Sequence, residues 1–87
     1  MNKDDIHNFI LELIKDRLVL FNIGFDEVNN EFDLVKSGLL DSMSFIDLVA
    51  ELEEKFSLEI DFEQAAERDD FTRLGGLVQL ITDTANA

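Results

Sequence analysis

The sequence predicts an all-α fold: a four-helix bundle with three longer helices, a short third helix and a long loop between the first two. Apolar residues recur at intervals of three and four along three separate stretches, the spacing that lines one face of a helix. The one stretch that alternates like a strand, Ser57-Leu58-Glu59-Ile60-Asp61, has no second strand to pair with and would leave its backbone groups unsatisfied. Composition agrees, since 46% of residues are apolar, eight are Phe, and Pro, Tyr and Trp are absent. That profile suits packed helices joined by loops rather than a disordered acidic tail. With 87 residues and no Cys, the expectation is one domain over residues 1–87, held by a single apolar core without disulfide staples.

The first helix is expected from Asp4 to about Phe21, where Ile6, Phe9, Ile10, Leu13, Ile14 and Leu18 form one stripe. Gly24 and Asn29-Asn30 break the pattern, and residues 22–41 form a loop whose length requires anchoring by Phe25, Val28, Phe32, Leu34, Leu39 and Leu40. Asp41 has a side chain able to accept from an early helix N–H and a charge suited to the helix dipole. It is therefore the expected N-cap of a second helix over residues 42–56. Phe45, Leu48, Val49, Leu52 and Phe56 form the buried stripe of that helix, and Asp47, Glu51 and Glu54 form a row of acids on its other side. Met43, Ile46 and Ala50 lie among those acids and read either as the apolar strip of a docking face or as packing at the core's edge.

Residues 57–61 are expected to be a connector, followed by a short third helix from about Asp61 to Arg68. Thr72 reads as the N-cap of the last helix, with Leu74, Leu77, Val78 and Ile81 facing inward and a polar tail fraying after Asp83. Gly75-Gly76 conflicts with a helix interior, where each Gly costs about 1 kcal/mol relative to Ala. The pair is expected either in the lightly penalised first turn or where another backbone approaches closely.

Seven Lys and Arg against twenty Asp and Glu give a formal charge of −13 at pH 7. Such a surface disfavours nucleic acid and anionic membranes as partners and favours basic protein surfaces. Eleven of the acids fall within residues 41–70, where Lys55 and Arg68 are the only cations. No stretch approaches the roughly 20 apolar residues that span a bilayer, so membrane insertion is not expected. Met1-Asn2-Lys3-Asp4-Asp5 lacks the basic-then-apolar order of a secretory signal, and the absence of Cys suits a reducing compartment. The expectation is a cytoplasmic monomer.

Ser42 is the residue on which function turns. It follows an acid at the start of a helix, where unpaired backbone N–H groups and the helix dipole stabilise a negative group such as a phosphate ester. A serine nucleophile would need a base and an orienter, usually within a G-x-S-x-G elbow. Leu40-Asp41-Ser42-Met43-Ser44 is no such elbow, and the single histidine, His7, reads as an exposed residue of the first helix. One His and no Cys exclude zinc chemistry, Asp26-Glu27 and Asp69-Asp70 lack the calcium-loop pattern, and no Gly-rich nucleotide loop is present. No catalytic residue and no metal site are expected.

Asp41-Ser42-Met43, followed by a helix ending Glu51-Leu52-Glu53-Glu54-Lys55-Phe56, resembles the acyl carrier proteins, whose motif is Asp-Ser-Leu before just such an acidic helix. The resemblance covers nearly the whole chain and includes the approach Ser37-Gly38-Leu39-Leu40-Asp41, the short third helix and the closing helix. It implies that a phosphopantetheinyl transferase uses coenzyme A and magnesium to attach 4′-phosphopantetheine to Ser42. It further implies that the arm's thiol, which the chain itself lacks, carries acyl groups as thioesters. Asp41 would position the serine and cap the helix, while Met43, Ile46, Asp47, Ala50, Glu51 and Glu54 would dock loading ligases and acyl-processing enzymes with basic surfaces.

Among carriers, one serving fatty acid, polyketide or related biosynthesis ranks first. A stand-alone aminoacyl carrier of the D-alanyl type ranks second. The latter proteins share Leu-Leu-Asp-Ser, and Glu67-Arg68-Asp69-Asp70-Phe71 is similar to their acid-Arg-acid-aromatic segment, with Phe71 replacing Trp and Thr72-Arg73 replacing Thr-Pro. Phe45, Phe62 and Phe71 would narrow any space for a long acyl chain. A third reading is an unmodified acidic helical adaptor, which the intact serine disfavours.

Overall fold

In the computed structural model, which describes residues 2–86, α1 spans Lys3–Leu20, α2 Ser42–Phe56, α3 Phe62–Ala66 and α4 Leu74–Ala85, with one 3₁₀ turn at Phe25–Glu27. The fold is the expected all-α bundle. No strand occurs among the described residues; the one ladder contact is an isolated bridge between Asp33 and Arg73.

Each helix starts where a side chain or a loop carbonyl meets its unpaired N–H groups. Asn2 caps α1 by accepting from the Asp5 N–H at 2.8 Å, one residue earlier than the sequence suggests. Asp61 caps α3, accepting from Glu63 and Gln64. That helix stops at Ala66, shorter than expected. α2 ends at Ser57, whose φ of 54° puts it in the left-handed region. The Glu53 carboxylate then takes the Ile60 N–H at 2.9 Å, so residues 57–61 satisfy their backbone without a sheet.

α4 departs from the expectation. Thr72 is not its cap; Arg73 occupies that position and makes no side-chain cap bond. The N–H groups of Leu74 and Gly75 donate instead to the carbonyls of Phe32 and Asn30, both at 2.9 Å, and Leu34 N–H donates to Thr72 O at 2.8 Å. The long loop thus serves as the cap. This seam explains Gly75-Gly76, which lies both in the first turn and at close approaches. A Cβ on Gly75 would meet Asn30 Cβ at 2.7 Å, and one on Gly76 would run into the Asp70 carbonyl. At its far end α4 continues past Asp83 to Ala85, with the Thr82 and Thr84 hydroxyls donating to the carbonyls of Val78 and Leu80.

The core is Ile6, Ile10, Ile14 and Leu18 of α1, Phe45, Leu48, Val49 and Leu52 of α2, and Leu74, Leu77, Val78 and Ile81 of α4, all buried. Val28, Leu34, Leu39 and Leu40 anchor the loop from below. Two expected core residues lie outside: Phe25 is 53% exposed on the 3₁₀ turn, and Leu13 is 38% exposed on the flank of α1. Phe9 and Phe56 are half-buried and meet edge to face at 5.7 Å. No helix of the described residues is long and apolar enough to cross a membrane.

Candidate functional site

The loop delivers Ser42 to the protein surface through a sequence of local constraints. Asp33 closes the turn before the approach, its carboxylate accepting from the Lys36 N–H at 2.7 Å, the Val35 N–H at 3.0 Å and the Thr72 hydroxyl at 2.8 Å. Burial pushes the Asp33 carboxyl up. Those three hydrogen bonds and the Lys36 charge outweigh burial and hold it below the ordinary 3.8. Gly38 then turns with φ 87°, a conformation open to glycine but strained for other residues. Leu39 and Leu40 plunge into the core, and Leu40 N–H donates to Leu34 O at 2.9 Å.

Asp41 follows in extended conformation, and its Oδ1 accepts from the Ser44 N–H at 2.7 Å, the N-cap geometry expected of it. The bonds from the Ser44 backbone and hydroxyl hold the Asp41 carboxyl below its usual range. Arg17 and the Met43 N–H add to this, against a small opposing effect of desolvation. Ser42 is the first residue of α2 and is exposed. Its hydroxyl makes no hydrogen bond to any other described residue, whereas that of Ser44 accepts from Arg17 Nη2 at 2.9 Å. The sequence singles out neither Ser44 nor Arg17; their contact joins positions far apart in the chain, and no local pattern announces it.

Met43, Ile46, Asp47, Ala50, Glu51 and Glu54 are all exposed, and their spacing puts them on one face of α2. Met43 is 69% and Ile46 46% exposed, so neither belongs to the buried core. Phe45, 5% exposed, packs edge to face against Phe71 at 5.2 Å, and Phe71 meets Phe62, 38% exposed, at 6.2 Å, so the three rings form a chain of contacts from α2 to the start of α3. His7 is half-buried rather than exposed, beside Asn30, Val78 and Gln79. It stands three helical turns before Arg17, about 15 Å along α1, and brings no base to Ser42.

This arrangement fits a covalently held phosphate. An exposed, unengaged hydroxyl on the first residue of a 15-residue helix meets the positive end of the dipole, and no side chain covers it. Comparison with known proteins points the same way. The family model described as "Phosphopantetheine attachment site" matches residues 9–81. The D-alanyl carrier protein of Streptococcus sanguinis (strain SK36) is 31% identical over 83 residues, covering 95% of this chain and 99% of that protein. D-alanyl carrier proteins of Streptococcus gordonii and Streptococcus mutans are 30% and 31% identical over the same length and the same shares of each chain. No solved structure matches the chain.

Proposed function

The chain belongs to the phosphopantetheine attachment-site family, and on that premise we propose that it is a non-catalytic carrier whose 4′-phosphopantetheine is attached to Ser42 and whose cargo is a small aminoacyl group of the D-alanyl type. The observation that carries the attachment point is Ser42 itself, exposed at the start of α2 with its hydroxyl unengaged. When bound, the prosthetic group supplies the thiol that the chain lacks and on which cargo rides as a thioester. Asp41 fixes the helix start so that the serine hydroxyl is presented to a phosphopantetheinyl transferase. The first-turn N–H groups and the dipole of α2 balance the phosphodiester charge.

For the cargo, support comes from two directions. The D-alanyl carrier relatives align over nearly their whole length, and the bulky Phe45, Phe71 and Phe62 rings, in contact from α2 to the start of α3, suit a small cargo better than a long chain. This support moves the aminoacyl reading ahead of a fatty acid or polyketide carrier. The acidic and apolar face from Met43 to Glu54 suits a loading ligase and further acyl-processing partners with basic, apolar-rimmed surfaces. One domain over residues 1–87, working as a cytoplasmic monomer, suffices for this role.

Offering the phosphopantetheinylated protein in parallel to a D-alanine-activating ligase and to an acyl-carrier synthetase supplied with medium and long fatty acids tests the cargo. Thioester formation with D-alanine alone is expected. Loading with fatty acids alone would overturn the aminoacyl reading and restore the long-chain one.

A further inference from the structure

Arg17 is the one α1 side chain that hydrogen-bonds α2 or its approach among the described residues, and it does so on both sides of Ser42. Its Nη2 donates to Ser44 Oγ at 2.9 Å, two residues after the serine, and its Nη1 donates to the Leu39 carbonyl at 3.3 Å, three residues before it. Ser44 in turn donates its N–H to Asp41 Oδ1 at 2.7 Å. One guanidinium therefore ties the last turn of α1 to the end of the loop and to the first turn of α2. The planar fork of Arg presents two separate nitrogens in fixed geometry, one to each acceptor, whereas Lys would have to reach both from a single nitrogen.

The helical geometry gives this tie a direction. Residues two apart are about 200° apart around an α-helix. Fixing Ser44 against α1 turns Ser42 to the opposite side, and the two serines accordingly differ, Ser44 being half-buried and Ser42 exposed. Leu39 and Leu40, buried at 2% and 4%, hold the other end of the same segment. Rotation of the first turn of α2 would carry Ser42 toward the protein and would require breaking the bond to Arg17.

We propose that Arg17, acting through Ser44 and the Leu39 carbonyl, is a positioning residue that holds the Ser42 hydroxyl outward for modification. This rests on Ser42 being the attachment point. In the modification the Ser42 oxygen bonds to the phosphorus that bears pantetheine. The pyrophosphate bond of coenzyme A breaks, 3′,5′-adenosine bisphosphate leaves, and the serine proton passes to a base on the transferase. Arg17 touches none of the reacting atoms. Its effect belongs in the turnover of a bound carrier rather than in carrier binding.

The test is the steady-state kinetics of a phosphopantetheinyl transferase with the full-length apo chain as varied substrate, at a temperature where circular dichroism shows every variant fully folded. Arg17→Ala and Ser44→Ala should each lower kcat by roughly tenfold, the loss expected for one charge-assisted hydrogen bond, with KM nearly unchanged. Arg17→Lys should fail to restore the rate. Lys15→Ala, which removes the same charge from the opposite side of α1, should behave as wild type. Hydrogen exchange at the amides of residues 42–45 should quicken in Arg17→Ala while that of α4 does not. If Arg17→Ala does not fold, Ser44→Ala and Arg17→Lys decide alone. Wild-type kcat in Ser44→Ala, a loss confined to KM, or an equal loss in Lys15→Ala would overturn the clamp. Failure of the wild-type chain to be modified at all would instead overturn Ser42 as the attachment point.

Discussion

Asp33 and Asp41 are two carboxylates of the described residues that the fold holds below their ordinary pKa, and they sit at either end of the loop segment that leads to Ser42. For such a group the folded state favours the charged form. Its stabilisation is complete above the ordinary 3.8 and is lost as pH falls through the lowered value. Asp33→Asn keeps an oxygen for the Val35 and Lys36 N–H groups but places an amide against the Thr72 hydroxyl. The variant should therefore unfold at lower urea than wild type at pH 7, and the gap should close below about pH 3.8. An equal gap at pH 7 and pH 3 would show that the Asp33 charge contributes nothing. Asp41 and Ser42 were legible in the sequence because a cap acts within three residues. The Asp33–Thr72 contact and the two bonds of Arg17 were not, since they join positions 22 to 39 apart.

At the level of elements, α2 was read from sequence to both its ends, because its cap, its apolar period and its acidic face all agree. Leu48, 6% exposed in that stripe, gives the corresponding test: Leu48→Ala should cost roughly 2–5 kcal/mol in urea unfolding. The start of α4 was misread. Thr72 has the right chemistry for a cap, yet the loop carbonyls of Asn30 and Phe32 reach the helix first and leave Thr72 free for Asp33. Only glycine lets that loop come so near. In a free-standing helix Gly→Ala would stabilise by about 1 kcal/mol. Here Gly76→Ala should instead destabilise by about 1–3 kcal/mol, because its Cβ has to displace the Asp70 backbone. A stabilised Gly76→Ala protein would contradict the close approach of the Asp70 backbone to the first turn of α4. Phe25 was misplaced for a simpler reason: on a one-turn 3₁₀ segment a large ring has no periodic face to follow, and it stays outside.

Across the whole molecule, a charge of −13 on 87 residues places carboxylates close together on the surface, most densely around α2 and α3. Mutual repulsion opposes the compact state and is screened over about 10 Å at 0.1 M salt. The melting temperature should therefore rise with added sodium chloride or magnesium, and a value independent of salt would contradict this. The charge is legible in the sequence, whereas no residue pattern in it names the cargo. Ser42 as the attachment point is the central proposal. Its most direct test is the intact mass of the protein after incubation with coenzyme A, magnesium and a broad-specificity phosphopantetheinyl transferase, run beside Ser42→Ala, whose fold should shift by no more than about 0.5 kcal/mol. The account predicts a gain of one phosphopantetheine on the wild-type chain and none on Ser42→Ala; an unmodified wild type, or a gain that persists in the variant, would contradict it.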